Sequence, residues 1–381
     1  MSNPSSEKIW LSSPHMGAKE FEFVKEAFDT NWIAPLGPHV NGFETDLKTY
    51  LGNNVHVAAL SAGTAAIHLA LILLDVKADD EVLCQSFTFS ASANPITYLG
   101  AKPVFIDSEK DTWNMCPELL EQAIIERSAA GKKPKAIIPV HLYGMPAKIE
   151  RIMEIADKYD IPVIEDAAEA LGSSSHGQRL GTFGKMGILS FNGNKIITTS
   201  GGGALVAGDE TIIQKATFLA TQARDAAPHY QHSHIGYNYR MSNVSAGIGR
   251  GQMVVLDERI AQRRNNFLFY KEALKDIPGI SFVEEPAGAF SNRWLTTVII
   301  EPSETGGITR EDIRIALEKN NIESRPLWKP MHLQPVFKNC LSYTNGVSET
   351  LFENGLCLPS GSNLTTQQLS TIVEIIKQLF R

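Results

Sequence analysis

Cysteine is scarce in this chain: Cys84, Cys116, Cys340 and Cys357 are the four in 381 residues. Their spacing makes no zinc or redox motif, so no metal is expected, and the low count fits a reducing cytoplasm. A basic tail or Lys/Arg cluster is also missing. With 35 Lys+Arg against 42 Asp+Glu the net charge is -7, which excludes the footprint of a nucleic-acid binder. An anionic ligand therefore needs a local basic pocket, because the overall field does not attract it. The start, Met1 to Lys8, is polar and lacks the apolar core of a signal segment. One mostly apolar run, Val57 to Leu74, contains Ser61, Gly63, Thr64 and His68. It reads as a buried strand, a turn and a buried helix, so no membrane span is expected. Internal repeats and biased tracts are absent.

What remains is a globular composition, 43% hydrophobic and 20% charged, in a chain long enough for two domains. Strand-like runs at 55–60, 81–85, 103–107, 135–140 and 162–165 alternate with helix-like runs at 64–74, 89–99, 117–127 and 149–159. Two more strands are expected at 187–191 and 204–207. Such alternation predicts an α/β fold whose mainly parallel sheet is flanked by helices. The character changes after about Arg250. A long helix at 252–274 leads into strands at 281–283, 294–300 and 322–325, with helices at 310–319 and 366–380. The expected division is a large domain over 1–250 with an N-terminal arm, and a smaller α+β domain over 251–381.

Four stretches carry chemistry. Ser61-Ala62-Gly63-Thr64 lies between a strand and a helix, where free N–H groups make an anion site; ordinary capping by Ser61 or Thr64 is the plainer alternative. Gln85 to Ser90 ends a strand and offers Phe87 and Phe89 for stacking on a flat ring or for the core. The strand Val163-Ile164-Glu165-Asp166 delivers Asp166 to the carboxyl end of a parallel strand, where ligands of open α/β sheets bind. A carboxylate there needs a cationic partner, such as the ring nitrogen of pyridoxal phosphate, unless Asp166 only caps a helix. Lys195 stands in Ser190 to Gly203 with no other charge between Lys185 and Asp209. Desolvated among small polar residues, its amine is suited to Schiff-base chemistry; the alternative is a surface lysine entering a glycine turn.

Phosphate turn, aromatic, acid and lysine follow in that order, the acid 29 residues before the lysine. In this order the chain resembles the fold-type I pyridoxal 5'-phosphate (PLP) transferases. More closely, it resembles the DegT/DnrJ/EryC1/StrS group of sugar aminotransferases. Matching stretches are 9–14, 31–37, 165–172, 181–184, 190–203, 236–241 and 358–360, nearly the whole chain.

The resemblance implies roles. Lys195 would form the Schiff base with PLP and shuttle the proton. Asp166 would pair with the pyridine nitrogen, and Phe89 would stack on the ring. Ala62 and Gly63 in the turn, with Thr64 and Ser190, would hold the phosphate. Glu169 stands where many members have Gln or His, so its role stays open. Asn238 would reach the phosphate of the other subunit, implying a homodimer with shared active sites. Members that act as dehydratases carry histidine at the lysine position, and this chain keeps Lys195. The implied amino donor is L-glutamate and the acceptor a nucleotide-linked keto-sugar. Substrate-side candidates are His15 and Met16 in the early loop, Arg240, and Arg325, Trp328, Lys329 and His332 in the 324–332 loop. Both loops resemble C4-aminotransferases of 4-keto-6-deoxy sugars. A UDP-linked N-acetylated sugar is the expected substrate, with GDP-perosamine precursors and dTDP-keto-sugars as alternatives.

Overall fold

The structure is a computed structural model that describes residues 7–52 and 54–381. The polar start read at Met1 to Lys8 lies, over residues 1–6, outside the described residues.

The alternating apolar runs become the strands of a layered α/β body. In chain order these are β1 (His56–Leu60), β2 (Glu81–Gln85), β3 (Lys102–Ile106), β4 (Ala136–Ile138) and β5 (Ile164–Asp166), the short β6 (Ser174–Ser175) and β7 (Gln178–Arg179), then β8 (Met186–Ser190) and β9 (Gly203–Ala207). Later come β10 (Ile280–Phe282), β11 (Ala289–Phe290), β12 (Thr296–Ile300), β13 (Arg325–Pro326), β14 (Ser342–Tyr343) and β15 (Gly355–Leu358). One sheet has the order β1-β9-β8-β5 and another β14-β3-β2-β4. Parallel bridges Ile137–Val163 and Val140–Asp166 join them across β4 and β5. Within this array β9 alone runs against its neighbours. Every residue of β2 and β9 is buried, as strands covered on both faces by helices must be.

The helices are α1 (Glu20–Asp29), α2 (Pro38–Leu51), α3 (Gly63–Leu73), α4 (Asn94–Tyr98), α5 (Pro117–Ala129), α6 (Ile149–Lys158), α7 (Glu210–Ala220), α8 (Asn243–Val254), α9 (Leu256–Leu274), α10 (Arg310–Lys319), α11 (Val347–Asn354) and α12 (Thr366–Gln378). No helix among the described residues is long and apolar enough to cross a membrane.

Three expected elements differ. The helix at 89–99 is a 3-10 turn (Ser90–Ser92) followed by α4, because Pro95 starts a fresh helix in its first turn. The strand at 322–325 moves to β13, while Ile322 bridges Ile9 instead. The helix at 252–274 is two helices meeting at Val255, and the first begins at Asn243 under a Ser242 cap that accepts from the Ser245 N–H. Glycines 247, 249 and 251 disfavour a helix locally. They are needed because α8 presses on α1 and α2: a Cβ at Gly251 would lie 2.5 Å from the Glu20 nitrogen, and one at Gly249 2.8 Å from the Phe43 ring.

A second sheet, β10-β12-β15-β13, is wholly antiparallel. It shares an apolar core with α9, α10 and α12 through Tyr270, Val298, Leu317, Leu356 and Ile372. The N-terminal arm closes onto it. Ile9 exchanges backbone hydrogen bonds with Asn321 and Glu323, and the Ser360 N–H donates to the Leu11 carbonyl at 2.8 Å.

Candidate active site

Strand ends converge on a cavity of about 300 Å³. Ser61 to Thr64 follow β1, Thr88 and Phe89 follow β2, Val140 follows β4, Asp166 ends β5 and Ser190 ends β8, and all line it. This is the carboxyl edge of the parallel strands, where ligands of open α/β sheets bind.

At one end α3 begins with Ala62 as its N-cap, in extended backbone, and no side chain caps the helix. The ordinary capping alternative for Ser61 or Thr64 is therefore not realised. The first-turn N–H groups are left for an anion, and the helix dipole favours one. Glycine shapes this end. A Cβ at Gly203 would fall 2.3 Å from the Gly63 nitrogen, and one at Gly63 3.2 Å from the Ser190 Cβ. Only bare backbone lets β9 and β8 approach the helix start so closely.

Asp166 is buried and held from both sides. Its Oδ1 accepts from the Ala168 N–H at 3.1 Å, and its Oδ2 accepts from the Ser92 hydroxyl at 2.6 Å. The Ser92 oxygen is 2.8 Å from the Thr88 hydroxyl, so Thr88 steers Ser92 and Ser92 steers the acid. The adjacent Glu165 does different work. Its oxygens accept from the N–H groups of Gly181, Phe183 and Gly184, which fixes the 181–184 turn.

Lys195 is mostly buried, its Nζ 3.6 Å from Glu169 Oε1 and 4.3 Å from the centre of the Trp294 ring. Glu169 Oε2 accepts from the Tyr143 N–H at 2.7 Å. Burial pushes the Glu169 carboxyl above its ordinary range; the Lys195 ammonium and the Tyr143 N–H oppose that rise, and the Asp166 carboxylate adds to it. Tyr143, at φ 55°, is sandwiched between Trp294 and Trp328 at centroid distances of 6.3 and 6.2 Å. Its hydroxyl accepts from the Trp328 backbone N–H at 2.9 Å. The half-exposed Phe89 ring leans on Trp328, 5.3 Å between centroids. Phe89, Trp294 and Trp328 line the cavity, and the Tyr143 ring is buried between the two tryptophans.

Ala62, Gly63, Thr64, Phe89, Asp166, Glu169, Ser190, Lys195 and Trp328 thus line one cavity. The other sequence candidates lie elsewhere. Arg240 is buried, pairs with Glu44 and donates to the Ala59 carbonyl at 3.0 Å, so it ties β1 to α2. Arg325 is exposed and paired with Glu323. His332 joins Ser86 (2.6 Å) to Glu349 (3.2 Å). His15 contacts Ser362 at 3.0 Å, Met16 and Lys329 are exposed, and none of these lines the cavity. Asn238 is exposed and bridged to Thr221, also outside the cavity. Sequence reasoning missed Ser92, Tyr143, Trp294 and Asn194. Ser92 had a local signal, since it continues the Ser86-Phe87-Thr88-Phe89-Ser90 run by two residues.

The donor set fits PLP: an uncapped helix start and the Ser190 hydroxyl for a phosphate, a buried carboxylate for a ring cation, an aromatic for a ring face, and an amine for a carbonyl.

Known proteins agree. The DegT/DnrJ/EryC1/StrS aminotransferase family profile matches residues 14–377. The chain is 55% identical over 377 residues to EpsN of Bacillus subtilis (strain 168), provisionally named a pyridoxal phosphate-dependent aminotransferase; 98% of this chain and 96% of EpsN are covered. It is 36% identical over 373 residues to the GDP-perosamine synthase of Escherichia coli O157:H7, covering 98% of each. The PLP form of Spr1654 from Streptococcus pneumoniae, provisionally named a sugar aminotransferase, superposes with a TM-score of 0.89 at 27% identity, covering 98% of this chain and 99% of that one. Matched over almost its whole length, the chain is a PLP-dependent aminotransferase of fold-type I and belongs to the DegT/DnrJ/EryC1/StrS aminotransferase family.

Proposed function

We propose that the enzyme moves an amino group from L-glutamate to the keto carbon, C4, of a nucleotide-linked 4-keto-6-deoxy sugar. The carrying observation is Lys195 set beside Glu169 in the cavity that Asp166 and the bare start of α3 also line. PLP, when bound, supplies the electron sink that transamination needs. Lys195 Nζ would hold the cofactor covalently and then carry the proton between carbons. Asp166, steadied by Ser92, would keep a proton on the ring nitrogen. The N–H groups at Ala62 to Thr64 and the Ser190 hydroxyl would bind the phosphate, and Phe89 would cover a ring face. Glu169, aimed by Tyr143, would hold Lys195 in place and balance its charge.

The half-exposed Phe89 and its neighbour Trp328 would stack on a base or sugar at the mouth. Asn238, exposed and away from its own cavity, suits a role in the site of a second copy, which supports a homodimer with shared sites. Free thiols at all four cysteines fit the cytoplasm. The division into 1–250 and 251–381 belongs to the same reading.

For the acceptor, a UDP-linked N-acetylated sugar is the first reading. A GDP-linked sugar is the second, favoured by the 36% identity to a GDP-perosamine synthase. Amino transfer from L-glutamate should be assayed against UDP-, GDP- and dTDP-linked 4-keto-6-deoxy sugars. Turnover restricted to the GDP-linked ketone would replace the first reading by the second, and turnover of none would reject the sugar proposal.

A further inference from the structure

Arg263 of α9 is fully buried, and no carboxylate among the described residues forms an ion pair with it. Burial, reinforced by Arg259, lowers its pKa. An isolated buried guanidinium is costly unless hydrogen bonds replace its lost hydration. Here both Nη groups find such partners, while Nε finds none among the described residues. Arg263 Nη1 donates to the Trp294 carbonyl at 2.6 Å, and Nη2 donates to the Ser12 hydroxyl at 3.0 Å. Both recipients then reach the same atom. The Ser12 hydroxyl donates to the Asn194 carbonyl at 2.8 Å, and Trp294 Nε1 donates to that carbonyl at 2.7 Å. The hydrogen bonds therefore close a ring through Arg263, Ser12, Asn194 and Trp294. Its fixed point is the peptide that enters Lys195, and the Trp294 ring lies under the Lys195 ammonium.

We propose that Arg263, through Ser12 and Trp294, is a positioning residue for Lys195. The ring joins four separate parts of the chain: the N-terminal arm, α9, the segment before β12 and the lysine loop. Two donors on one carbonyl set the height and direction of the loop, and the ring face beneath the amine limits its swing. With either donor lost, the other still pins the carbonyl; with both lost, the loop moves and the amine leaves its line of attack. This inference rests on the reading that Lys195 bonds the cofactor.

The test uses cofactor-free enzyme and added PLP. The Lys195 amine condenses with the aldehyde, water leaves, and borohydride then reduces the C=N bond, so the rate of capture and the labelled residue are both read by mass spectrometry. Pyridoxamine phosphate, which has no aldehyde, reports binding alone. Trp294→Phe and Ser12→Ala should each slow capture about two- to fivefold, and the double variant roughly 100-fold, as a misplacement of about 1 Å does. Pyridoxamine phosphate affinity should stay within about twofold, and Ser12→Thr should keep the normal rate because its hydroxyl remains. Arg263→Met is a secondary variant, since it alters the core; Ser12 and Trp294 carry the test if it fails to fold. Wild-type capture rates in the double variant, or affinity falling in step with rate, overturn the proposal while leaving Lys195 in its role. A label on a residue other than Lys195 in the wild type overturns both.

Discussion

Lys195 and Glu169 face each other 3.6 Å apart inside the cavity, each largely withdrawn from water. Each is the other's polar partner before any ligand arrives, and removing either leaves the other buried without it.

Lys195→Ala should lower turnover by about 10²- to 10⁴-fold or more, since a positioned proton carrier contributes that much by itself. PLP should still dock without a covalent bond, through the start of α3 and Ser190. Steady-state rates and the visible spectrum check this; wild-type turnover would reject the assignment.

Asp166→Asn should cut turnover about 10- to 100-fold, the worth of a hydrogen bond to a charged group. Ser92→Ala removes only the donor that aims Asp166 and should cost about threefold to tenfold. A Ser92 effect larger than the Asp166 effect would place the important group elsewhere.

Glu169 gives a pH signature. Its folded-state pKa is raised, so the folded chain holds this proton to higher pH than the unfolded chain does. Stability from this group is complete below the ordinary carboxylate range and is lost as pH rises through the raised value. Glu169→Gln has no such titration. The melting temperature of Glu169→Gln relative to wild type should therefore become more favourable as pH rises from about 4 to 8. A difference that is flat or falls over that range would contradict the raised pKa.

Gly203→Ala places a methyl 2.3 Å from the Gly63 nitrogen. Overpacking of this kind costs about 1–3 kcal/mol. Thermal unfolding should occur at lower temperature, and affinity for PLP should fall because the uncapped start of α3 is displaced. Gly208→Ala, outside the cavity and with its nearest neighbour 4.0 Å from the Cβ position, is the control.

Much of the site was legible because its residues sit at punctuated places in the chain. Asp166 follows an apolar strand directly, and Lys195 stands alone in a polar stretch, so local pattern and resemblance agreed. The parallel sheet was legible for the same reason, from strand-like runs separated by helical ones. Other features had no local signal. Arg240 reads as a loop arginine, and its burial depends on Glu44, which is distant in sequence. The glycines of α8 argue against a helix until α1 and α2 are seen pressing on them. Asn194 shows its importance only when Ser12 and Trp294 arrive from distant parts of the chain.

The place of β9 has a consequence for how the chain comes to be folded. Among the strands of the described residues, β1 pairs with β9, with His56 opposite Ala207 and Leu60 opposite Gly203, roughly 150 positions later. Pairings of such separation are slow, because the entropy of closing the loop must be met before the contact is made. During synthesis, β1 and the apolar face of α3 emerge long before their cover exists. That interval, rather than the finished enzyme, is where this sequence is most open to aggregation and to help from chaperones.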